Sequence, residues 1–180
     1  MRKYFNLFTV ASGVAIGLIV AGALALAGGQ YATDVVHDQL VPQKIFFPQQ
    51  GKALPANLNQ YAGQQVDTAK EAKAYANDFI GLHLKGIGQG KSYSEVSAAW
   101  MANPKDQKLA QQRQTMFMGE TLRGTLLNAW GWGTMGTIAT IAGIVLLGIG
   151  GVLLAVPVII AIADRRRAEK PVRGAVATTA

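Results

Sequence analysis

Two long stretches without a charged residue constrain this chain more than any other feature of its sequence. No Asp, Glu, Lys or Arg occurs between Tyr4 and Thr33, and none occurs between Gly124 and Ala163. Each stretch exceeds the roughly 20 apolar residues with which a helix crosses a hydrocarbon layer of about 30 Å. We therefore expect an all-α integral membrane protein with two transmembrane helices, at residues 7–29 and 133–163, and a helical bundle between them.

The first stretch also has features of a secretory signal peptide. Arg2 and Lys3 give it a basic start, and Ala25 and Ala27 lie where a signal peptidase could cleave. However, the apolar region of a signal peptide is usually only about 7–15 residues long. Because the region from Leu7 to Gly28 is longer, we expect it to be retained as a membrane helix, with cleavage as the alternative.

Two tryptophans precede the second span and indicate where the membrane surface lies. Trp130 and Trp132 follow Arg123, the last charge before the apolar run. Indole rings prefer the membrane interface, where the ring contacts acyl chains and the N–H reaches the headgroup layer. We therefore expect both tryptophans to act as interface anchors, with Arg123 on the aqueous side.

The basic residues at the two ends predict the orientation in the membrane. Arg2 and Lys3 precede the first span, and Arg165, Arg166 and Arg167 follow the second. Positively charged flanks stay in the cytoplasm and are attracted to anionic lipid. Residues 1–6 and the basic tail 164–180 are thus predicted to be cytoplasmic, and residues 30–132 extracytoplasmic, with the three arginines in contact with anionic lipid.

Composition narrows the location and the classes of partner. The segment 30–132 carries ten Lys and Arg against eight Asp and Glu, so most of the net charge of +7 belongs to the tails. No basic face with interleaved aromatic residues appears, and we expect no nucleic-acid partner. The chain has no cysteine, and the middle segment has no N-x-Ser/Thr sequon, which is compatible with the plasma (inner) membrane of a bacterium.

Small residues recur along both spans and predict close helix packing. Glycine and alanine at such positions let a second helix approach, which holds membrane helices together where lipid offers no hydrophobic driving force. We expect the helices of one chain to pack through these residues, with contact to another membrane protein or a second copy as the alternative. The predicted packing positions are Gly13, Gly17, Ala21, Ala25, Gly143 and Gly150.

The middle segment reads as several helices separated by turns. Thr68 with Glu71, and Ser92 with Glu95, form capping-box patterns that start two of them. Asn103 is expected to cap the next helix, with Pro104 in its first turn. The first span should continue to about Leu40, and residues 41–55 should be irregular, with Phe46 and Phe47 suited to a shallow bilayer position. The predicted apolar face of the Thr68 helix contains Ala69, Ala72, Ala76, Phe79, Ile80 and Leu84.

One group of side chains resembles a metal site. Asp34, His37 and Asp38 are spaced so that one helical face could offer two carboxylates and an imidazole to a divalent metal. A divalent site needs more ligands, and a polar face next to the membrane explains the three residues more simply. We therefore expect no metal, no cofactor and no catalytic residue, with this face as the weak candidate.

Several segments resemble a known family. They are Lys91-Ser92-Tyr93-Ser94-Glu95-Val96-Ser97, Gly119-Glu120-Thr121-Leu122-Arg123-Gly124-Thr125-Leu126-Leu127-Asn128-Ala129 and Ile45-Phe46-Phe47-Pro48. The chain is similar to a family of uncharacterised actinobacterial two-span membrane proteins, often labelled aromatic ring-opening dioxygenases. The resemblance implies a membrane location and this architecture. The residues do not support the label, because such enzymes bind iron through histidines and a carboxylate, and the two histidines here are far apart in sequence.

These features predict a protein of the cell envelope without enzymatic activity. We expect an accessory, scaffold or interaction subunit of a membrane complex, whose partners are the lipid bilayer and a membrane protein or a second copy. The first alternative is a metal- or ligand-binding sensor or enzyme that uses the Asp34, His37 and Asp38 face. The second is an oligomeric, holin-like pore built from the small-residue stripes.

Overall fold

The computed structural model describes residues 2–51 and 53–168, and within these residues the chain is helical. No β-strand occurs in the described part, where Phe46 and Gln65 form one isolated antiparallel bridge. The all-α prediction is confirmed. The α-helices are α1 Arg2–Leu40, α2 Ala69–Ala74, α3 Gly81–Ile87, α4 Tyr93–Ala102 and α5 Gln107–Ala168. A π-helical segment, Tyr75–Ile80, joins α2 to α3, and short 3-10 helices occupy Val41–Gln43 and Ala56–Tyr61.

The chain divides into two compact units. The helix-pair unit consists of Met1–Ala27 and Ala139–Ala180, and the domain consists of Gly28–Ile138. Helices α1 and α5 each contribute to both units. Judged by length and composition, α1 and α5 are the two described helices that are apolar enough to cross a membrane. The first continues to Leu40, as the sequence predicts.

In the helix-pair unit, the backbones of α1 and α5 touch at small residues. A Cβ added to Gly143 would lie 2.7 Å from the carbonyl oxygen of Gly22, and one added to Gly150 would lie 3.0 Å from that of Ala15. A Cβ on Gly22 would in turn lie 2.9 Å from the carbonyl oxygen of Gly143. No side chain fits between the helices at these points, so glycine is required for the approach.

The contact residues follow an interval of seven. Ala15 and Gly22 on α1 face Gly150 and Gly143 on α5, so the interval is the same on both helices (22 − 15 = 150 − 143). A residue repeated every seven positions drifts by only about 20° around a straight helix, whereas one repeated every four drifts by about 40° at 3.6 residues per turn. The seven-residue set therefore stays on one side of each helix, in the antiparallel arrangement of the pair.

The packing positions predicted for the first span need correction as contacts with α5, whereas their contact with another chain stays a prediction. A Cβ added to Gly13 or Gly17 would meet no atom within 4 Å, and Ala21 is exposed while Ala25 is half-buried. These four residues repeat every four positions, so their stripe winds around α1 and does not follow the line of contact. In the second span, Gly143 and Gly150 do lie at the contact.

The domain has a hydrophobic core of its own, centred on an aromatic cluster. The Phe47 side chain is only 2% exposed. Its ring stacks on Tyr61 at 5.1 Å and meets the Tyr75 ring edge-on at 5.0 Å. The shallow bilayer position predicted for Phe47 is therefore wrong, although Phe46 is exposed. The two neighbours point in opposite directions because the backbone here is extended, with the Phe47 N–H bonded to the Gln64 carbonyl oxygen.

Both predicted capping boxes are confirmed. The Glu71 N–H donates to the Thr68 hydroxyl at 3.3 Å, and the Glu71 carboxylate accepts from the Thr68 N–H at 3.0 Å. Ser92 and Glu95 repeat this exchange at 3.3 and 2.7 Å. Four residues of the predicted apolar face are buried, and the other two are partly buried against the core. The buried four are Ala72, Ala76, Ile80 and Leu84.

The start of α5 differs from the prediction. The Asp106 carboxylate accepts from the N–H groups of Lys108 and Leu109, at 2.9 and 3.0 Å, so Asp106 and not Asn103 is the cap. Pro104 lies in a turn closed by the Asp106 N–H and the Asn103 carbonyl oxygen. A carboxylate is favoured over an amide at this position because it also interacts with the positive end of the helix dipole. From Gln107, α5 runs to Ala168 with Pro157 inside it.

We predict that Gly22→Ala destabilises the helix pair and that Gly17→Ala does not. The new methyl group at position 22 would press on backbone atoms of Gly143 and Leu147, which costs on the order of 1–3 kcal/mol. At position 17 the space is open, and alanine should gain up to about 1 kcal/mol from helix propensity. Thermal unfolding of the detergent-purified variants measures both effects. Equal melting temperatures for the two variants would contradict this assignment of the contact.

Candidate functional site

Of the three residues named as a weak metal candidate, the structure brings only two to the same cavity. Asp34 and His37 line a cavity of about 400 Å³ in the domain, together with Asp67, Thr68 and Lys70. The Nδ1 atom of His37 lies 3.3 Å from the Asp67 carbonyl oxygen. Asp38 is not among the residues that line this cavity. In the described part of the chain, no group of three or more His, Asp or Glu residues is arranged to hold a metal ion.

Two carboxyl groups meet at the start of α2, next to His37. The Glu71 carboxylate accepts from the N–H groups of Asp67 and Thr68 at 3.1 and 3.0 Å. Burial raises the pKa of Glu71, but these N–H groups and the Thr68 hydroxyl outweigh it and leave the pKa below its usual value. For Asp67, burial and the neighbouring Glu71 carboxylate raise the pKa, while the charge of His37 opposes the rise. Protonation of this pair is therefore easiest at Asp67.

Arg123 ties α5 to the π-helical segment. Its Nη1 lies 3.3 Å from the Glu120 carboxylate, and its Nη2 donates to the Asn77 side-chain oxygen at 3.1 Å. The guanidinium also lies beside Gly81, where an added Cβ would be in ordinary van der Waals contact with Nε at 3.6 Å. A π-helical segment inside an α-helix often marks a functional position. Here it brings Asn77 to Arg123, and no sequence signal predicted it.

The two tryptophans have different surroundings. The Trp130 ring is half-buried, and the ammonium of Lys73 lies 4.4 Å from its centroid. This arrangement has the geometry of a cation–π interaction, which holds Trp130 of α5 against α2. Trp132 is 63% exposed. Of the two predicted anchors, Trp132 is therefore the one with an exposed ring, and the anchoring role stays a prediction.

A groove that the sequence did not reveal lies in the domain, between residues 31–39 of α1 and residues 125–132 of α5. Its volume is about 500 Å³. It has an apolar part formed by Tyr31, Ala32, Val35, Val36, Ala129 and Trp132. Polar side chains, those of Gln39, Thr125 and Asn128, line the remainder. Next to the groove the two helices approach closely, as a Cβ added to Gly136 would lie only 2.9 Å from the Gly29 carbonyl oxygen. The small residues Ala32 and Ala129 were a signal for such a space.

The basic cluster at the end of α5 is described in part. Arg165 and Arg166 are exposed. The side chain of Arg167, and residues 169–180 with the rest of the predicted tail, lie outside the described residues. Contact of the arginines with anionic lipid stays a prediction.

Comparisons with known proteins give no assignment. No family model, curated protein or solved structure matches the chain. The resemblance to actinobacterial two-span membrane proteins therefore also stays a prediction.

We predict that Asp67→Asn stabilises the protein at neutral pH. The folded-state pKa of Asp67 is raised, so the ionised carboxylate costs stability above that pKa, and the cost disappears as the pH falls toward the ordinary value of about 4. The advantage of the variant should therefore shrink on acidification. Thermal unfolding across this pH range measures it, and Asp78→Asn, which removes an exposed carboxylate elsewhere in the domain, is the control. A variant less stable than the parent at neutral pH would contradict the prediction.

Proposed function

We propose that this chain is an integral membrane protein of the bacterial plasma membrane, in which α1 and α5 anchor an extracytoplasmic helical domain. The observation that carries the proposal is the exposure of the apolar residues in the two long helices. In the most apolar part of α1 only 11% of the residues are buried, and in that of α5 only 6%. Core helices of soluble proteins bury such residues.

The size of this exposed surface argues for lipid as its surroundings. Apolar surface left in water costs about 25 cal/mol per Å², and soluble monomers rarely expose apolar patches larger than a few hundred Å². Most of the large exposed hydrophobic side chains lie in the two predicted spans. Examples on α1 are Val14, Ile16 and Val20, and examples on α5 are Ile141, Ile144 and Ile160.

Charge supports the orientation. Arg165 and Arg166 are exposed at the end of α5, and Arg2 and Lys3 stand at the other end of the chain. We propose that both termini are cytoplasmic, because short basic flanks remain on that side. The domain then lies outside the cytoplasm.

We further propose that the domain serves as an accessory or interaction element of a membrane complex, without enzymatic activity. Support comes from its construction. Its core consists of apolar side chains, and the residues found buried include no polar or charged one. Catalytic sites, by contrast, commonly hold partly buried groups with strongly shifted pKa values.

We predict that a single cysteine reports the orientation. The chain contains no cysteine, so each introduced thiol is unique. In intact cells, a membrane-impermeant maleimide should label Ser94→Cys, at an exposed position of α4, and should leave Thr178→Cys unlabelled until the membrane is opened. Labelling of Thr178→Cys alone in intact cells would reverse the orientation. Release of the protein by alkaline carbonate would refute membrane insertion.

We also predict that the protein migrates as a defined complex when it is extracted from its native membrane in a mild detergent. Native electrophoresis and chemical crosslinking should give one species larger than the 19.0 kDa chain with its detergent. Gly13→Leu and Gly17→Leu, at open positions of α1, test whether the first span contributes to the contact between this chain and its partner in the complex. Gly148→Leu, at an open position of α5, is the control. A monomer at every detergent concentration would contradict the proposed role.

A further inference from the structure

We propose that the groove between α1 and α5 binds one lipid of the outer leaflet, with an acyl chain along its apolar part and the glycerol-ester region against its polar part. The inference rests on the proposed membrane anchoring.

The apolar part of the groove is suited to a hydrocarbon chain. Ala32, Val35, Val36 and Ala129 present aliphatic surface, and the rings of Tyr31 and Trp132, both exposed, also line it. The volume of about 500 Å³ lies within the range of small-ligand sites. Tyr31 follows the end of the predicted first span by two positions. A lipid acyl chain that extends out of the bilayer beside α1 would therefore reach the apolar part of the groove first.

Polarity changes along the groove in the direction that a lipid requires. On α1 the lining runs from Tyr31 to Gln39, a rise of about 12 Å at 1.5 Å per residue. Gln39, the lining residue of α1 farthest from the predicted first span, has a polar side chain. On the antiparallel α5, Asn128 and Thr125 are the lining residues farthest from the second span. The amides of Gln39 and Asn128 are exposed and can donate to ester carbonyl oxygens.

The charges of the site select among lipids. None of the residues that line the groove is charged. No lining side chain therefore offers a positive charge that could pair with an anionic headgroup. The structure therefore favours a zwitterionic or uncharged lipid over an anionic one.

The dimensions favour a lipid over a helix from a partner protein. A helix is about 10–12 Å across and rises about 5.4 Å per turn, so roughly one turn would fill this volume. One turn offers few side chains for recognition. An extended acyl chain, which is narrower, can follow the groove over its full length.

Native mass spectrometry of the full chain tests the proposal. The protein is reconstituted into vesicles of equal parts phosphatidylcholine and phosphatidylglycerol, extracted in mild detergent, and released in the gas phase. We expect one phosphatidylcholine per chain to be retained. Val35→Trp, which fills the groove, should lower this retention at least about tenfold. Val20→Trp, the same substitution at an exposed position of α1 outside the groove, should retain the lipid.

A second variant covers the case in which Val35→Trp misfolds. Asn128→Leu changes an exposed side chain and should lower retention roughly threefold to tenfold through the lost hydrogen bond. Equal retention by the parent, Val35→Trp and Asn128→Leu would overturn the site, and so would a bound polypeptide in place of lipid. Preference for phosphatidylglycerol would overturn the assigned charge class. Carbonate extraction of the same samples shows separately whether membrane insertion itself has failed.

Discussion

The approach of two helix backbones at glycine is the constraint on which the rest of this structure depends. In the helix-pair unit, the carbonyl oxygen of Gly22 occupies the space beside Gly143 that a side chain would need. Such contacts hold helices together by dispersion and by weak C–H···O interactions, and they do not require a hydrophobic driving force. This is the kind of contact that remains effective when the solvent is lipid, and the apolar side chains can then face outward.

The domain is stabilised by different physics. Its core consists of side chains from the end of α1, the segment between α1 and α2, the helices α2 to α4 with the π-helical segment, and the first half of α5. Phe47 lies at the centre, between Tyr61 and Tyr75. Hydrophobic burial drives this packing, as it does in water-soluble proteins. Close glycine contact also occurs within the domain, at Gly29 with Gly136, and at Gly133 with Ala69. The domain therefore combines a buried apolar core with the close helix approach that is typical of membrane proteins.

The sequence predicted the features that depend on local chemistry. The capping boxes at Thr68 and Ser92 were predictable because they need only two residues three positions apart. The helix face of α2 and α3 was predictable from its periodicity, although the π-helical segment lies within it. The sequence-based predictions were wrong where two patterns in the sequence competed. An interval of four and an interval of seven are both present in α1, and only the position of α5 decides which one is buried. At the start of α5, Asn103 and Asp106 are both good caps, and the turn at Pro104 decides between them.

The groove illustrates a limit of a different kind. A cavity is defined by atoms that are absent, so no single residue in the sequence marks it. Its walls, however, follow from the same contact that brings the helices together. Gly29 and Gly136 set the separation of α1 and α5, and Ala32 and Ala129 are too small to close the space beside them. Larger side chains at these two positions would give a more ordinary helix interface. The chain has small residues there and amides at Gln39 and Asn128, which is the distribution of size and polarity that a bound lipid needs.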